Sequence, residues 1–173
     1  MLTLSQILIK RMTKYYFIIG AFLMLVGCDK NRVFDTYESI ESIGWHKDSI
    51  QEFELPIMDS IAEYNMYFNI RNSNDYPFSN LYVISTIEYP NGKNQVDTLE
   101  YEMALLDGKW LGEGGSSIKE SKLWYKENFK FKEDGKYKIS IAQAMRKNGS
   151  VDGITFLKGI TDVGLRVEKK ETP

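Results

Sequence analysis

Cys28 is the only thiol in this 173-residue chain and His46 the only imidazole, and those two counts remove most site chemistry at a stroke. One cysteine closes no disulfide within a molecule, and one imidazole with one thiolate falls short of the four ligands of tetrahedral zinc. Nucleophilic catalysis lacks its parts as well, since there is no Gly-x-Ser-x-Gly turn and His46 would serve alone. Beside Trp45 the imidazole reads as a surface or packing group. Gly112-Glu113-Gly114-Gly115-Ser116-Ser117 has the glycines of a phosphate cradle without the Gly-Lys-Ser/Thr ending, and reads as a loop. Asn148-Gly149-Ser150-Val151-Asp152-Gly153 is oxygen-rich, yet its twelfth position, where a calcium loop puts a bidentate glutamate, is Gly159; it reads as a turn. Glu100 and Glu102 share a strand face with Thr98, opposite Leu99, Tyr101 and Met103, which sets the carboxylates toward solvent rather than toward a substrate. The chain therefore reads as a non-enzyme with no cofactor, no metal and no small-molecule substrate.

What remains for the thiol is set by the residues before it. Lys10, Arg11 and Lys14 precede an uncharged, mostly apolar run over residues 15–26, the pattern of a secretory signal. At about 12 residues the run is well short of the ~20 that a membrane-crossing helix needs. Leu25-Val26-Gly27-Cys28 resembles the bacterial lipobox, which predicts cleavage between Gly27 and Cys28 and transfer of diacylglycerol to the sulfur. Two or three acyl chains on one residue hold a protein durably at a membrane. Residues 1–27 are thus read as signal, with a start at Met12 giving a more compact one. Residues 28–43 are read as a lipidated N-terminus and charged tether, whose fourteen residues after Cys28 could lift a domain by up to ~45 Å. The alternative is that Val33, Phe34 and Tyr37 dock on the domain and shorten the spacer. The formal charge is -2, and the three cations of the signal are removed with it, so the remainder is more acidic still. That argues against a nucleic-acid partner.

Residues 44–173 must supply the scaffold, and hydrophobic alternation describes it. Met66, Phe68 and Ile70 alternate with Asn65, Asn69 and Arg71, which predicts a half-buried strand. Residues 81–89 read as a strand apolar on both faces. Pro90-Asn91-Gly92-Lys93 is a turn, and residues 96–103 return as the second arm of a hairpin. Residues 123–131 read as two short extended pieces. Tyr137, Ile139 and Ile141, and later Val163, Leu165 and Val167, line inward faces, and a further strand is expected around residues 49–57. No stretch sustains a helical period. The prediction is an all-β, antiparallel β-sandwich, Ig-like or jelly-roll-like, of about seven or eight strands.

Several surface features remain. Lys130, Lys132, Lys136 and Lys138 alternate with Phe129, Phe131, Tyr137 and Ile139 and read as solvated stripes that guard a strand from edge pairing. Tyr76, Phe78 and Trp110 sit in polar or glycine-rich loops, where aromatics serve either as an interaction surface or as caps on the open end of a sandwich. Trp124 and Tyr125 point to opposite faces, one to the core and one to the rim. Asp48-Ser49-Ile50, Asp59-Ser60-Ile61 and Asp97-Thr98-Leu99 resemble the acceptor tripeptide for O-glycosylation in the envelope of Bacteroidota, which marks Ser49, Ser60 and Thr98 as candidates.

Longer stretches resemble one family. Cys28-Asp29-Lys30-Asn31-Arg32-Val33, Gly44-Trp45-His46-Lys47-Asp48, Asn72-Ser73-Asn74-Asp75-Tyr76-Pro77-Phe78-Ser79-Asn80-Leu81, Lys122-Leu123-Trp124-Tyr125-Lys126 and Gly159-Ile160-Thr161-Asp162-Val163-Gly164-Leu165-Arg166 are similar to the gliding-motility lipoprotein GldH of the Bacteroidota. The resemblance implies a lipid-anchored, non-catalytic component of the gliding machinery, which in these bacteria is built on the type IX secretion apparatus. It implies other gliding and secretion lipoproteins and envelope proteins as partners. Only Cys28 is carried over as a functional position. Surface export in this phylum resembles a run of acidic residues after the lipidated cysteine, and Asp29 is instead followed by Lys30, Asn31 and Arg32, which points to the periplasmic side of the outer membrane. A glycan-binding envelope lipoprotein of a nutrient-uptake system is the other reading, and it draws on the same loop aromatics.

Overall fold

The alternation of Met66, Phe68 and Ile70 with polar neighbours places them in the centre of a sheet. In the computed structural model, which describes residues 30–171, all three are fully buried. The strands are β1 (Arg32–Ser39), β2 (Trp45–His46), β3 (Gln51–Glu54), β4 (Tyr64–Ser73), β5 (Asn80–Glu88), β6 (Asn94–Glu102), β7 (Ile118–Phe129), β8 (Lys138–Gln143), β9 (Phe156–Leu157) and β10 (Ile160–Lys169). One sheet has the order β1-β10-β4-β7 and the other β3-β8-β5-β6, with β2 and β9 as a small separate pair, and every pairing is antiparallel. The eight longer strands match the expected sandwich.

The core lies between the two sheets. Phe68 and Ile70 of β4 and Val163, Leu165 and Val167 of β10 meet Leu81, Val83 and Ile87 of β5 and Ile139 and Ile141 of β8. Each such side chain contributes roughly 1.5–3 kcal/mol on burial. The β5–β6 hairpin forms in the expected register around Pro90-Asn91-Gly92-Lys93, where Gly92 adopts φ 81°.

Two expectations are corrected. Residues 32–39 are strand β1, not spacer: seven residues register against β10, Phe34 packs on the core and Tyr37 lies over Gly164. The docking alternative describes this stretch, and the folded domain starts at about Asn31 instead of residue 44. Residues 123–131 are not two pieces, because β7 runs unbroken through Ile118–Phe129; two register shifts beside Met66 disturb its alternation. Strand β5 is apolar on both faces as expected, with Leu81, Val83 and Ile87 inward and Tyr82 and Ile84 outward, and it places Ser85 inside. At the other pair in question, Tyr125 is core and Trp124 is rim, 54% exposed.

Antiparallel connections gather the loops at two ends. One end carries Asn31, the loop 55–63, the β5–β6 turn, the segment 130–137 and residues 170–171. It is closed by Tyr64, Phe129, Phe131 and Tyr137, whose rings meet edge to face at 4.9 to 6.5 Å. The opposite end carries residues 74–79, 103–117 and 144–155. There Gly159, at φ 83°, presses the β9–β10 turn onto the backbone of Tyr76, where a Cβ would lie 2.2 Å from the amide nitrogen.

Candidate interaction surface

Three separate loops converge at that opposite end. Residues 74–79 and 103–111 are tied by hydrogen bonds from the Met103 and Ala104 amides to the Ser79 carbonyl, at 2.7 and 3.0 Å. Ala104 and Trp110 bridge, and between them the Gly108 amide donates to the Leu105 carbonyl and the Lys109 amide to the Asp107 carboxylate. This tight turn puts Leu106 at its tip, wholly exposed, with Leu105 beside it. The third wall is Met145, Arg146 and Lys147, held by the Met145 sulfur accepting from the Tyr82 amide and by a bridge from Arg146 to Gly153. A cleft of about 890 Å³ lies among them, lined by Phe78, Tyr82, Leu105, Leu106, Met145 and Arg146 together with flanking polar groups.

The cleft has an apolar floor and a charged rim: Glu100 and Glu102 on one side, Arg146 and Lys147 on the other. The Asn80 side-chain amide donates to Glu100 at 2.8 Å and, with the Tyr82 hydroxyl, holds that carboxyl below the usual glutamate range. Outward Ile84 on β5 and Val96 on β6 extend the apolar surface along the sheet. Such a surface is suited to holding a partner. Among the described residues no three His, Cys, Asp or Glu side chains cluster as metal ligands would.

The aromatic trio expected from sequence is brought together, but not as an exposed platform. Tyr76 is buried, its hydroxyl donates to the Asn80 carbonyl at 2.7 Å, and burial raises its pKa. Trp110 packs half-buried against it at 6.2 Å, so these two rings cap the sandwich. Phe78, 5.9 Å from Tyr76, is the member that lines the cleft. Leu105 and Leu106 did not stand out in the sequence, although two leucines before Asp107-Gly108 place apolar side chains on a turn.

The other expected positions are dispersed. The Ser49 hydroxyl accepts from the Gln51 side chain at 3.0 Å, Ser60 is exposed in the loop 55–63, and Thr98 faces outward on β6. Glu100 and Glu102 face outward with Thr98, as their spacing indicates. His46 packs its ring edge-on to Phe156 at 4.8 Å and accepts from the Asp48 amide. Three lysines of the stripe are ion-paired: Lys130 with Glu63, Lys136 with Glu54, and Lys138 with Glu88 and Glu52. Gly27 and Cys28 lie outside the described residues.

The outer face of the first sheet is a contrasting surface. Arg166 of β10 pairs with Asp35 at 3.1 Å and with Glu168, which also takes Lys122 of β7 at 2.6 Å. Arg71 of β4 pairs with Glu120 at 2.6 Å and stacks over the Tyr37 ring at 4.1 Å. Burial, with Glu120 and Asp35 nearby, pushes the Tyr37 hydroxyl up to about 12, and that hydroxyl accepts from Asn69 at 2.8 Å. Lys122 sits 4.0 Å over Tyr67, which in turn leans on Trp124 at 4.5 Å.

Comparison with known proteins adds a family to this geometry. The profile of the family described as "GldH lipoprotein" matches residues 32–167. A "Gliding motility lipoprotein GldH homolog" of Christiangramia forsetii is 56% identical over 156 residues, covering 90% of this chain and 95% of its own. The "Gliding motility lipoprotein GldH" of Flavobacterium johnsoniae is 54% identical over 151 residues, covering 87% of this chain and 93% of its own. Among solved structures, the VP2 subviral particle of infectious bursal disease virus overlaps at a TM-score of 0.33 and 14% identity, over 79% of this chain and 30% of that one. That overlap is too low to bear on function.

Proposed function

The chain belongs to the GldH lipoprotein family, and from that premise we propose that it is a non-catalytic lipoprotein that supports gliding motility and the associated type IX secretion machinery. It is held by lipid on Cys28 at the outer membrane, with its domain on the periplasmic side. The observation that carries the reading is the family match, which runs from β1 through β10 and so covers the whole folded domain. The cleft supports it, because an apolar floor with Leu105 and Leu106 at its lip offers contact area to another protein. Confinement to one membrane plane raises the effective concentration of envelope partners, so modest contacts there suffice.

The glycan-binding alternative loses its main support, since Tyr76 and Trp110 turn inward and leave no flat aromatic platform at this end. Crosslinking in native membranes followed by affinity capture tests the proposal. Recovery of gliding and secretion lipoproteins is the expected outcome; recovery of saccharide-uptake proteins alone overturns it. Cys28→Ala is expected to abolish fatty-acid labelling and to leave the domain folded, because the core is built from side chains of the strands β1–β10 and their loops.

A further inference from the structure

The correction at β1 removes the spacer. Strand β1 begins at Arg32, and the Asn31 carbonyl already accepts from the Lys169 amide at 2.7 Å, so the chain is tied to the end of β10 three residues after Cys28. Three peptide steps reach at most ~10 Å, and the headgroup layer of one leaflet is itself roughly 5–8 Å thick. With acyl chains on Cys28, this end of the sandwich has no room to stand clear of the bilayer.

The same end carries a second, independent feature. Ile57 and Ile61 are 79% and 86% exposed, although both belong to the short loop 55–63. That loop is stapled rather than loose. Met58 is buried beneath it, the Asp59 amide donates to the Tyr64 hydroxyl at 3.2 Å, and the Asp59 carboxylate accepts from the Ile61 amide at 3.0 Å. Lys169 closes the staple by pairing with Asp59 at 3.2 Å, on the residue whose amide holds Asn31. The two isoleucines are therefore held outward beside the point where the chain leaves for the membrane. Single exposed apolar residues are ordinary on protein surfaces. Two of them on one stapled loop, within reach of a lipidated residue, are placed where their exposure to water ends.

Charge permits this contact. Lys169 pairs with Asp59, and Glu63 takes both Lys130 and Lys170 at 3.3 Å, while the segments at this end also carry Glu127, Glu133, Asp134 and Glu171 with Lys93, Lys132 and Lys136. The balance of signs means that neither anionic nor zwitterionic headgroups repel it.

Resting on the lipid-anchor reading above, we propose that the end formed by Asn31, the loop 55–63 and residues 169–171 is seated on the phospholipid surface, with Ile57 and Ile61 entering the headgroup layer. The strands then stand on the membrane, and the ten-residue β4, at ~3.3 Å per residue, holds the cleft at the opposite end about 30 Å above the lipid.

The test uses the full lipidated chain in vesicles of phosphatidylethanolamine and phosphatidylglycerol. Lipid occupies Cys28, so Ile57→Cys, Ile61→Cys and Leu106→Cys each offer one free thiol for a polarity-sensitive fluorophore. Nitroxide-bearing lipid is expected to quench the labels at 57 and 61 about threefold more than the label at 106, as for side chains at the headgroup boundary. The unsubstituted chain gives a second measure: trypsin cleavage after Lys169 and Lys170 slows severalfold on vesicles relative to detergent, whereas cleavage after exposed Lys147 does not. Vesicles that carry the protein on flotation but quench all three labels equally, with no protection at Lys169, overturn the seating alone. A chain that does not float with the vesicles overturns the lipid-anchor reading and the seating with it.

Discussion

The two outer faces of the sandwich are built from similar alternating strands and have opposite characters. On the β1-β10-β4-β7 face, Asp35, Arg166, Glu168 and Lys122 form a chain of ion pairs across three strands, with Tyr37 and Tyr67 under cations from β4 and β7. On the β3-β8-β5-β6 face, among the described residues, Lys138 pairs with Glu52 and Glu88 at one end, and toward the cleft the outward residues are Thr86, Ile84 and Tyr82 facing Val96, Thr98 and Glu100. A face whose polar groups satisfy one another gains rigidity but offers little to a partner, because a partner would have to displace existing bonds. A face left half-apolar contributes less to its own domain and can be covered without that cost. The difference fits the proposal above, in which one sheet holds β1 and the other offers a contact surface.

The largest effect is expected from breaking the first face. Arg166 is 16% exposed and its partners Asp35 and Glu168 are 15% and 18% exposed, so Arg166→Ala leaves two partly buried carboxylates without it. A loss of about 2–3 kcal/mol in urea-measured stability is expected. On the second face the loss moves from folding to binding. Leu106→Asp, at a wholly exposed position, is expected to leave the unfolding midpoint unchanged and to weaken captured partner binding about tenfold, read by quantitative crosslinking. Equal recovery of partners by this variant would remove the cleft from the contact surface.

Acid is expected to act on the first face through Glu168. Burial tends to raise the Glu168 pKa, but hydrogen bonds from Lys122 and Arg166 outweigh it and the net shift is downward. A depressed folded pKa contributes stability that is present above the unfolded value and is lost as pH falls through the folded one. Stability is therefore expected to fall as pH drops below the ordinary glutamate range, and Glu168→Gln should show a shallower acid loss in urea titrations at successive pH values. The smallest change is expected from Ile84→Ser on the second face, within ~0.5 kcal/mol of the parent. A larger loss there would mean that the exposed isoleucine supports the fold, and the contrast between faces would narrow.

Legibility in the sequence follows the same division. Strands β4, β8 and β10 are plain because one face of each is fully buried, so a two-residue period survives in Met66-Phe68-Ile70, Ile139-Ile141 and Val163-Leu165-Val167. Strand β1 is not, because an edge strand is half-exposed on both sides: its Asp35 belongs to a surface network rather than to a spacer. Strand β7 is obscured by its register shifts, which put Tyr125 and Lys126 where a regular strand would alternate. At the cleft, the loop aromatics were visible as a group, but their burial depends on Gly159 and residues 103–111 arriving from distant parts of the chain. Leu106 was hidden for the same reason: solvent exposure on a turn is decided by what the neighbouring loops leave uncovered.

The pairing of β1 with β10 bears on mechanical load. If the lipid on Cys28 and a partner at the cleft are pulled apart, tension enters at Arg32 and runs along the strand axis. The seven registered pairs from Arg32↔Glu168 to Ser39↔Asp162 then bear it side by side, in shear, instead of opening one after another like a zip. A domain moored through its edge strand in this orientation can transmit a tug between membrane and machinery before it begins to unravel.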